Sequence, residues 1–288
     1  MIKKILSFLI LPLDFITKYF KALIFLLILI ILILTIIPQS STISSPNLAK
    51  IYLEGSIIKS EDISEQVQKI IKNPSIKGVL FIINSPGGGV AASIEISDMM
   101  RELKQKIPVI VYVQGLMASG SYYAGMYADK IYANRGSLIG SIGVIFNGLN
   151  IEQLAKKIGI KEQGIAAGEY KEVGTFMREW TPQEKKYLQN LIEEEYKMFI
   201  SDVADARGLD VKNAKEYAEG KIFSAKKALQ LGLIDAIGTE NDAIETLKNL
   251  SQVQEAIFPK KDKLEAYINK IVKTSTQMLM QSISYHLQ

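Results

Sequence analysis

The 288-residue chain has no cysteine and a single histidine, His286, the third residue from the C-terminal end. Without cysteine there are no thiol nucleophiles, disulfides or thiolate-bound zinc. With one histidine in a terminal stretch, a Ser-His-Asp triad or a multi-histidine metal site has no secure base to build on. If the chain is a hydrolase, its general base is not histidine, and no metal is expected. A strong charge of one sign is also missing. The net charge is +4, and the first 38 residues hold four lysines against one aspartate, which leaves 30 basic and 29 acidic residues for the remainder. The larger part therefore carries no nucleic-acid footprint. The absence of cysteine fits an extracytoplasmic compartment.

What is present begins with one long apolar run. Residues 22–37 read ALIFLLILIILILTII, and no charge occurs from Ala22 to Ala49. Sixteen helical residues span about 24 Å, near the hydrocarbon thickness of about 30 Å, and Tyr19, Phe20, Lys18 and Lys21 extend the span at an interface. No A-x-A-like site follows, so an uncleaved anchor over 22–38 is preferred to a signal peptide. Lysines flank it on the N-terminal side only, which places 1–21 in the cytoplasm and the rest outside the cytoplasmic membrane, in a single pass. Residues 39–47 (QSSTISSPN) read as a linker.

Further on, the pattern alternates. Lys50–Leu53 reads as a strand, and Ile63, Val67, Ile70 and Ile71 lie on one helical face that ends at Asn73-Pro74. Val79–Ile83 and Val109–Val113 are continuous apolar runs of the kind that form buried parallel strands, with a helix between them over 91–106. A helix follows from Gly120 and a short strand near 130–133. This order predicts an α/β fold built from βαβ units. Thr181-Pro182-Gln183-Glu184 is a capping box that opens a helix running to about Ala206. Within it Glu193-Glu194-Glu195 reads as a solvated face. Residues 259–288 read as a helical appendage, with Leu264, Ile268, Ile271 and Val272 in one stripe.

Four segments could carry chemistry. Asn84-Ser85-Pro86-Gly87-Gly88-Gly89 follows a buried strand. It lacks the Lys-Ser/Thr of a phosphate loop, and its amides suit an oxyanion hole; taken alone, the segment reads as a tight βα turn. Met117-Ala118-Ser119-Gly120 puts a serine at a strand end where a helix opens, a position that a plain N-cap serine also takes. Gly140-Ser141-Ile142-Gly143-Val144 reads as a closely packed strand. Gly168-Glu169-Tyr170-Lys171-Glu172 reads as a surface turn with a lysine beside a glutamate. Gly136, Gly140, Gly143 and Gly148 do not make a dinucleotide fingerprint, so no cofactor is expected.

Taken together, INSPGGGV (83–90), MASGSYY (117–123), GSIGV (140–144), GEYKEVG (168–174) and ALQLGLID (228–235) resemble the bacterial signal peptide peptidase A family in its short form, over about residues 48–240. INSPGG alone also resembles the Clp protease family. The resemblance implies a crotonase/Clp-protease-like spiral of ββα units over 48–258 and a membrane-anchored serine endopeptidase. Its substrates would be cleaved signal peptides and similar apolar peptides. It implies Ser119 as nucleophile, Lys171 as general base and Ser141 as the residue that orients the lysine amine. Gly88 and Gly120, with Gly87 as a neighbouring candidate, would form the oxyanion hole. It also implies a homo-oligomeric ring in which the serine and lysine of one site come from different subunits. The chain departs from the family at Ser121, where a second glycine is usual. Two other readings stay open: a related anchored Ser-Lys peptidase acting on other membrane or misfolded proteins, and a non-catalytic crotonase-like scaffold.

Overall fold

The computed structural model describes residues 18–30, 32 and 45–259. The chain divides between Ser44 and Ser45. In the first unit residues 18–30 are helical, a run of about 20 Å at roughly 1.5 Å per residue. Among the described residues no helix is long and apolar enough to cross a membrane. Of the anchor expected over 22–38, residues 22–30 and 32 are helical, and residues 31 and 33–38 lie outside the described residues. The appendage expected over 259–288 also lies outside them, apart from residue 259.

The second unit is a mixed α/β sheet. In chain order it contains β1 (Leu48–Glu54), α1 (Glu61–Ile71), β2 (Gly78–Ser85), α2 (Val90–Lys104), β3 (Val109–Ala118), α3 (Gly120–Gly125) and β4 (Lys130–Ala133). Then follow β5 (Leu138–Gly140), α4 (Glu152–Lys157), α5 (Pro182–Arg207), a 3-10 turn (Val211–Asn213), α6 (Ala214–Tyr217), β6 (Ile222–Ser224), α7 (Ala225–Gln230), β7 (Ala236–Ile237) and α8 (Glu240–Ser251). The strand order is β1-β2-β3-β4-β7, and β5 bridges β3 and β6. All pairings are parallel except that of β5 with β6.

The continuous apolar runs are explained by burial on both faces of this sheet. Phe81, Ile83, Val111 and Val113 face one core, packed by Val67 of α1 and by Ile96 and Met100 of α2. Leu80, Ile82, Ile110 and Tyr112 face the other, under Ala243 and Leu247 of α8. With side chains alternating between faces, both sets must be apolar. The capping box at Thr181 forms as the sequence predicts: Thr181 accepts from the Glu184 amide while the Glu184 carboxylate accepts from the Thr181 amide.

Along one edge of β3 the partner changes. Ile110–Val113 pair with β4, and Leu116–Ala118 pair with β5. Its other edge runs along β2 with an irregularity between Ile83 and Ser85. Ser121, fully buried, ties this region together. Its hydroxyl accepts from the Ala118 amide (2.8 Å) and donates to the Ser85 carbonyl (2.7 Å), joining the ends of β3 and β2. A glycine at this position has no side chain to make either bond. In Ser121→Ala both backbone groups lose a buried partner, at about 1–3 kcal/mol. We expect a lower thermal unfolding midpoint by about 2–4 °C per kcal/mol lost; an unchanged midpoint would show that the strut adds no stability.

Candidate active site

Three loops leave the C-terminal ends of parallel strands side by side. Ser85 of β2 is in register with Met117 of β3, and Ala118 of β3 with Gly140 of β5. Ligands gather at this edge of an open parallel sheet, because the loops there are unpaired and helix N-termini face it. Ser119 follows β3, Ser141 follows β5, and Gly87 and Gly88 follow β2. All four line one cavity of about 660 Å³, together with Pro86 and Val144.

Ser119 holds an uncommon backbone conformation, φ 53° and ψ −125°. A non-glycine residue at positive φ stores about 1–3 kcal/mol and persists only where its surroundings over-determine it. Here they do. The Ser119 amide donates to the Gly140 carbonyl (2.8 Å), and its carbonyl accepts from the amides of Tyr122 and Tyr123 (2.9 and 3.1 Å). The residue takes the N-cap position of α3, yet its side chain caps nothing. The backbone is pinned and the hydroxyl is left for the cavity. Ser141 repeats the pattern, with φ 51° and its amide on the Lys221 carbonyl (2.7 Å).

The glycine loop is shaped by contact. Gly87 has φ +91°, and a Cβ there would lie 2.6 Å from the Gly120 nitrogen and 2.9 Å from Ser119 Cβ. A Cβ at Gly88 would collide with the Ile57 carbonyl. Gly88 forms a parallel bridge with Ile57, whose two bonds run from Ile57 N–H to Gly87 O and from Gly89 N–H to Ile57 O. In a parallel bridge the amide of the middle residue points to the other side. The Gly88 N–H is therefore free. So is that of Gly120, the first residue of α3, whose amide has no partner a turn earlier. The two are close, since a Cβ on Gly120 would be 3.3 Å from the Gly88 nitrogen. The Gly87 amide differs: it donates to Ser85 Oγ (3.1 Å). Of the three glycines expected to form an oxyanion hole, Gly88 and Gly120 offer free donors and Gly87 shapes the turn.

Lys171 is not among the residues lining this cavity. It lies exposed in a turn between Gly168 and Gly174, its amide donating to the Gly168 carbonyl (3.1 Å). That turn is fastened to the start of α5. Arg178 donates to both carboxylate oxygens of Glu184 (2.8 and 2.7 Å) and lies 3.8 Å from Glu172. The Arg178 guanidinium and the Thr181 amide hold the Glu184 carboxyl down to about 2. The pair therefore contributes stability above the ordinary carboxylate range and loses it as pH falls toward 2. Trp180 Nε1 donates to the Thr175 carbonyl (2.8 Å), and Tyr170 stacks on Tyr187 at 4.8 Å. Ser119, by contrast, shares a pocket with Glu195 and Phe199. Tyr187 and Glu195 are eight residues apart on α5, about 12 Å at roughly 1.5 Å per residue. Within one chain Lys171 follows Tyr170, which stacks near the start of α5, while Ser119 shares its pocket with Glu195 further along that helix.

That second pocket is narrow, about 30 Å³, and is walled by Val90, Tyr123, Val144, Met198 and Phe199. The Tyr123 hydroxyl donates to Asp202, and burial together with that carboxylate pushes its ionisation well above the usual tyrosine range. Tyr123 thus faces the pocket neutral. Glu195 adds a carboxylate to the wall. It does not belong to a solvated face as the sequence reading had it: Glu193 and Glu194 are exposed, while Glu195 is half-buried. A signal was available, because Glu195 lies four residues before Phe199 and seven after Leu188, on the apolar stripe. Among the described residues no group of His, Cys, Asp or Glu could hold a metal ion.

The chain is 44% identical over 182 residues to a provisionally named protease of Methanocaldococcus jannaschii, covering 63% of this chain and 58% of that protein. It is 35% identical over 192 residues to a provisionally named signal peptide peptidase SppA of Enterococcus faecium, covering 66% of this chain and 56% of that one. It is 32% identical over 200 residues to the chloroplastic serine protease SPPA of Arabidopsis thaliana, covering 69% of this chain and 30% of that one. The chain thus spans less than two thirds of the length of each. Among solved structures, a ClpP1 variant from Listeria monocytogenes aligns with TM-score 0.48 and 19% identity, over 68% of this chain and 94% of that one. The model of peptidase family S49 matches residues 101–254, a stretch that holds Ser119, Gly120, Ser141 and Lys171, and the chain belongs to peptidase family S49.

Proposed function

We propose that the chain is a membrane-anchored serine endopeptidase that degrades cleaved signal peptides and similar apolar peptides. The observation that carries this reading is Ser119: a strained, non-capping serine beside two free amides in a cavity at the sheet edge. Its hydroxyl attacks the peptide carbonyl and passes its proton to the neutral amine of Lys171. The oxyanion receives hydrogen bonds from the Gly88 and Gly120 amides. The C–N bond then breaks, the ammonium of Lys171 protonates the leaving amine, and Ser119 keeps the acyl group as an ester. Water attacks that ester with Lys171 again taking the proton. Ser141 orients the lysine amine. The parallel order of the sheet supports reading the fold as the crotonase/Clp-protease-like spiral.

In this reading Lys171 serves the Ser119 of a neighbouring copy. Support comes from Lys171, which is exposed and lines neither pocket that holds Ser119, and from the uncovered apolar arm before it. Ile145 and Leu149 are each 80% exposed and Ile165 fully so, a surface that a soluble monomer rarely leaves bare. A contact that joins different faces of identical subunits is head-to-tail, and one whose rotation closes makes a ring. The exposed apolar side chains of the helix over 18–30 support an anchor over 22–38 in the cytoplasmic membrane, with the catalytic unit on the extracytoplasmic side.

Four experiments test the proposal. A fluorophosphonate probe should label the wild type and not Ser119→Ala; equal labelling of both would remove Ser119 as nucleophile. Peptidase activity should be lost in Lys171→Ala and also in Lys171→Arg, because a guanidinium stays protonated, while Ser141→Ala should lower the rate and shift the basic limb of the pH profile. When Ser119→Ala and Lys171→Ala subunits, each inactive alone, are mixed and reassembled, about a quarter of interfaces join one intact serine to one intact lysine. That fraction of activity should return; none, with mixed oligomers present, means both residues act within one chain. Finally, the full-length protein should stay in the membrane fraction after an alkaline wash, with a mass that includes residues 1–38. A mature N-terminus near Ser40 would show a cleaved signal peptide instead.

A further inference from the structure

We infer that the narrow pocket beside Ser119 selects a lysine side chain at the residue whose carbonyl is attacked, and that Glu195 is the group that recognises its ammonium. This rests on the serine peptidase reading above and narrows its substrate class.

The pocket shares Gly88, Ser119 and Gly120 with the reacting centre. A carbonyl held by the two free amides therefore directs the side chain of its own residue into it. Size decides first. The space is narrow, about 30 Å³, room for roughly two waters, and a linear stem enters such a space more readily than an aromatic ring. Lining decides second. Val90, Val144, Met198 and Phe199 offer an apolar sleeve for a methylene stem, as long cationic side chains use elsewhere. Charge decides third. Glu195 is the pocket's one carboxylate and, among the described residues, has no cation within ion-pair distance. Glu184 pairs with Arg178 and Glu179 with Lys185; Glu193 and Glu194 also lack a cation but are exposed to solvent, whereas Glu195 is half-buried. The Tyr123 hydroxyl is engaged with Asp202 and presents no charge of its own. A half-buried carboxylate beside apolar walls with no counter-ion favours a cation from the ligand and disfavours an acidic side chain. Norleucine, with the same stem and no ammonium, fills the sleeve and leaves Glu195 unanswered. A signal peptide carries its lysines next to its apolar run, so this preference places the cut at that boundary.

The test uses the full-length protein in detergent and peptides that differ only at the residue before the cut: lysine, norleucine, phenylalanine or glutamate. Fluorophosphonate labelling of Ser119 is measured on every variant. In the wild type, kcat/KM for lysine should exceed that for norleucine at least tenfold, with phenylalanine and glutamate lower still. Glu195→Gln should bring the lysine-to-norleucine ratio close to one, and Glu195→Lys should invert the order of lysine and glutamate. A lysine preference that is absent in the wild type, or unchanged in Glu195→Gln while Ser119 still takes the probe, overturns the inference and leaves the peptidase reading standing. Failure of the wild type to take the probe at Ser119 overturns both.

Discussion

β3 is paired on both edges, but one of those edges serves two strands in turn. Its first half lies against β4 and its last three residues lie against β5. The change falls between Val113 and Leu116, and β3 then follows β5 as far as Ala118, where the chain leaves the strand at Ser119. The ladder does not end there: the Ser119 amide still bonds to Gly140. That bond holds the residue at positive φ while α3 begins immediately behind it. The conformation of the nucleophile candidate is thus a consequence of how the sheet divides its hydrogen bonds.

The same arrangement explains the free amides. Backbone donors in a folded protein are almost always satisfied, so two unpaired N–H groups facing one cavity need a cause. Gly88 is free because its parallel bridge to Ile57 uses the groups of its neighbours. Gly120 is free because it starts a helix. Ser85 answers the Gly87 amide through its side chain, and its carbonyl takes the Ser121 hydroxyl. The turn is rigid where it must hold shape and unpaired where a developing negative charge would sit. Preorganised donors of this kind need no rearrangement when charge appears.

The arm that carries Lys171 obeys a different logic. It has little secondary structure, and its apolar side chains point outward. Yet it is not loose at its base, where Arg178 ties Glu184 and lies near Glu172, and Trp180 packs on Phe146. A fixed base and an uncovered surface suit a segment that completes its packing on a second molecule. Glu184 serves twice, closing the capping box of α5 and holding Arg178.

Much of this could be read without coordinates. The missing cysteines and lone histidine argue against a thiolate nucleophile and a histidine base. The apolar runs 79–83 and 109–113 name the central strands, because burial on both faces leaves no polar position. Thr181-Pro182-Gln183-Glu184 names the start of α5, because its bonds close within four residues. Local patterns are legible when the interactions that produce them are local. What the sequence could not separate were readings that differ only in who answers a polar group across the fold. Ser119 could cap a helix or face a cavity; the ladder from Gly140 decides. Gly87 and Gly88 look alike in the motif; a serine side chain and a bridge to Ile57 distinguish their amides. Glu195 sits in a run of three glutamates, and only the packing of α5 against α3 turns one of them toward Ser119. Lys171 matches its motif as well as Ser119 does, yet Lys171 does not line the cavity that holds Ser119. Those placements are set by how helices and strands pack, and no run of neighbouring residues encodes them.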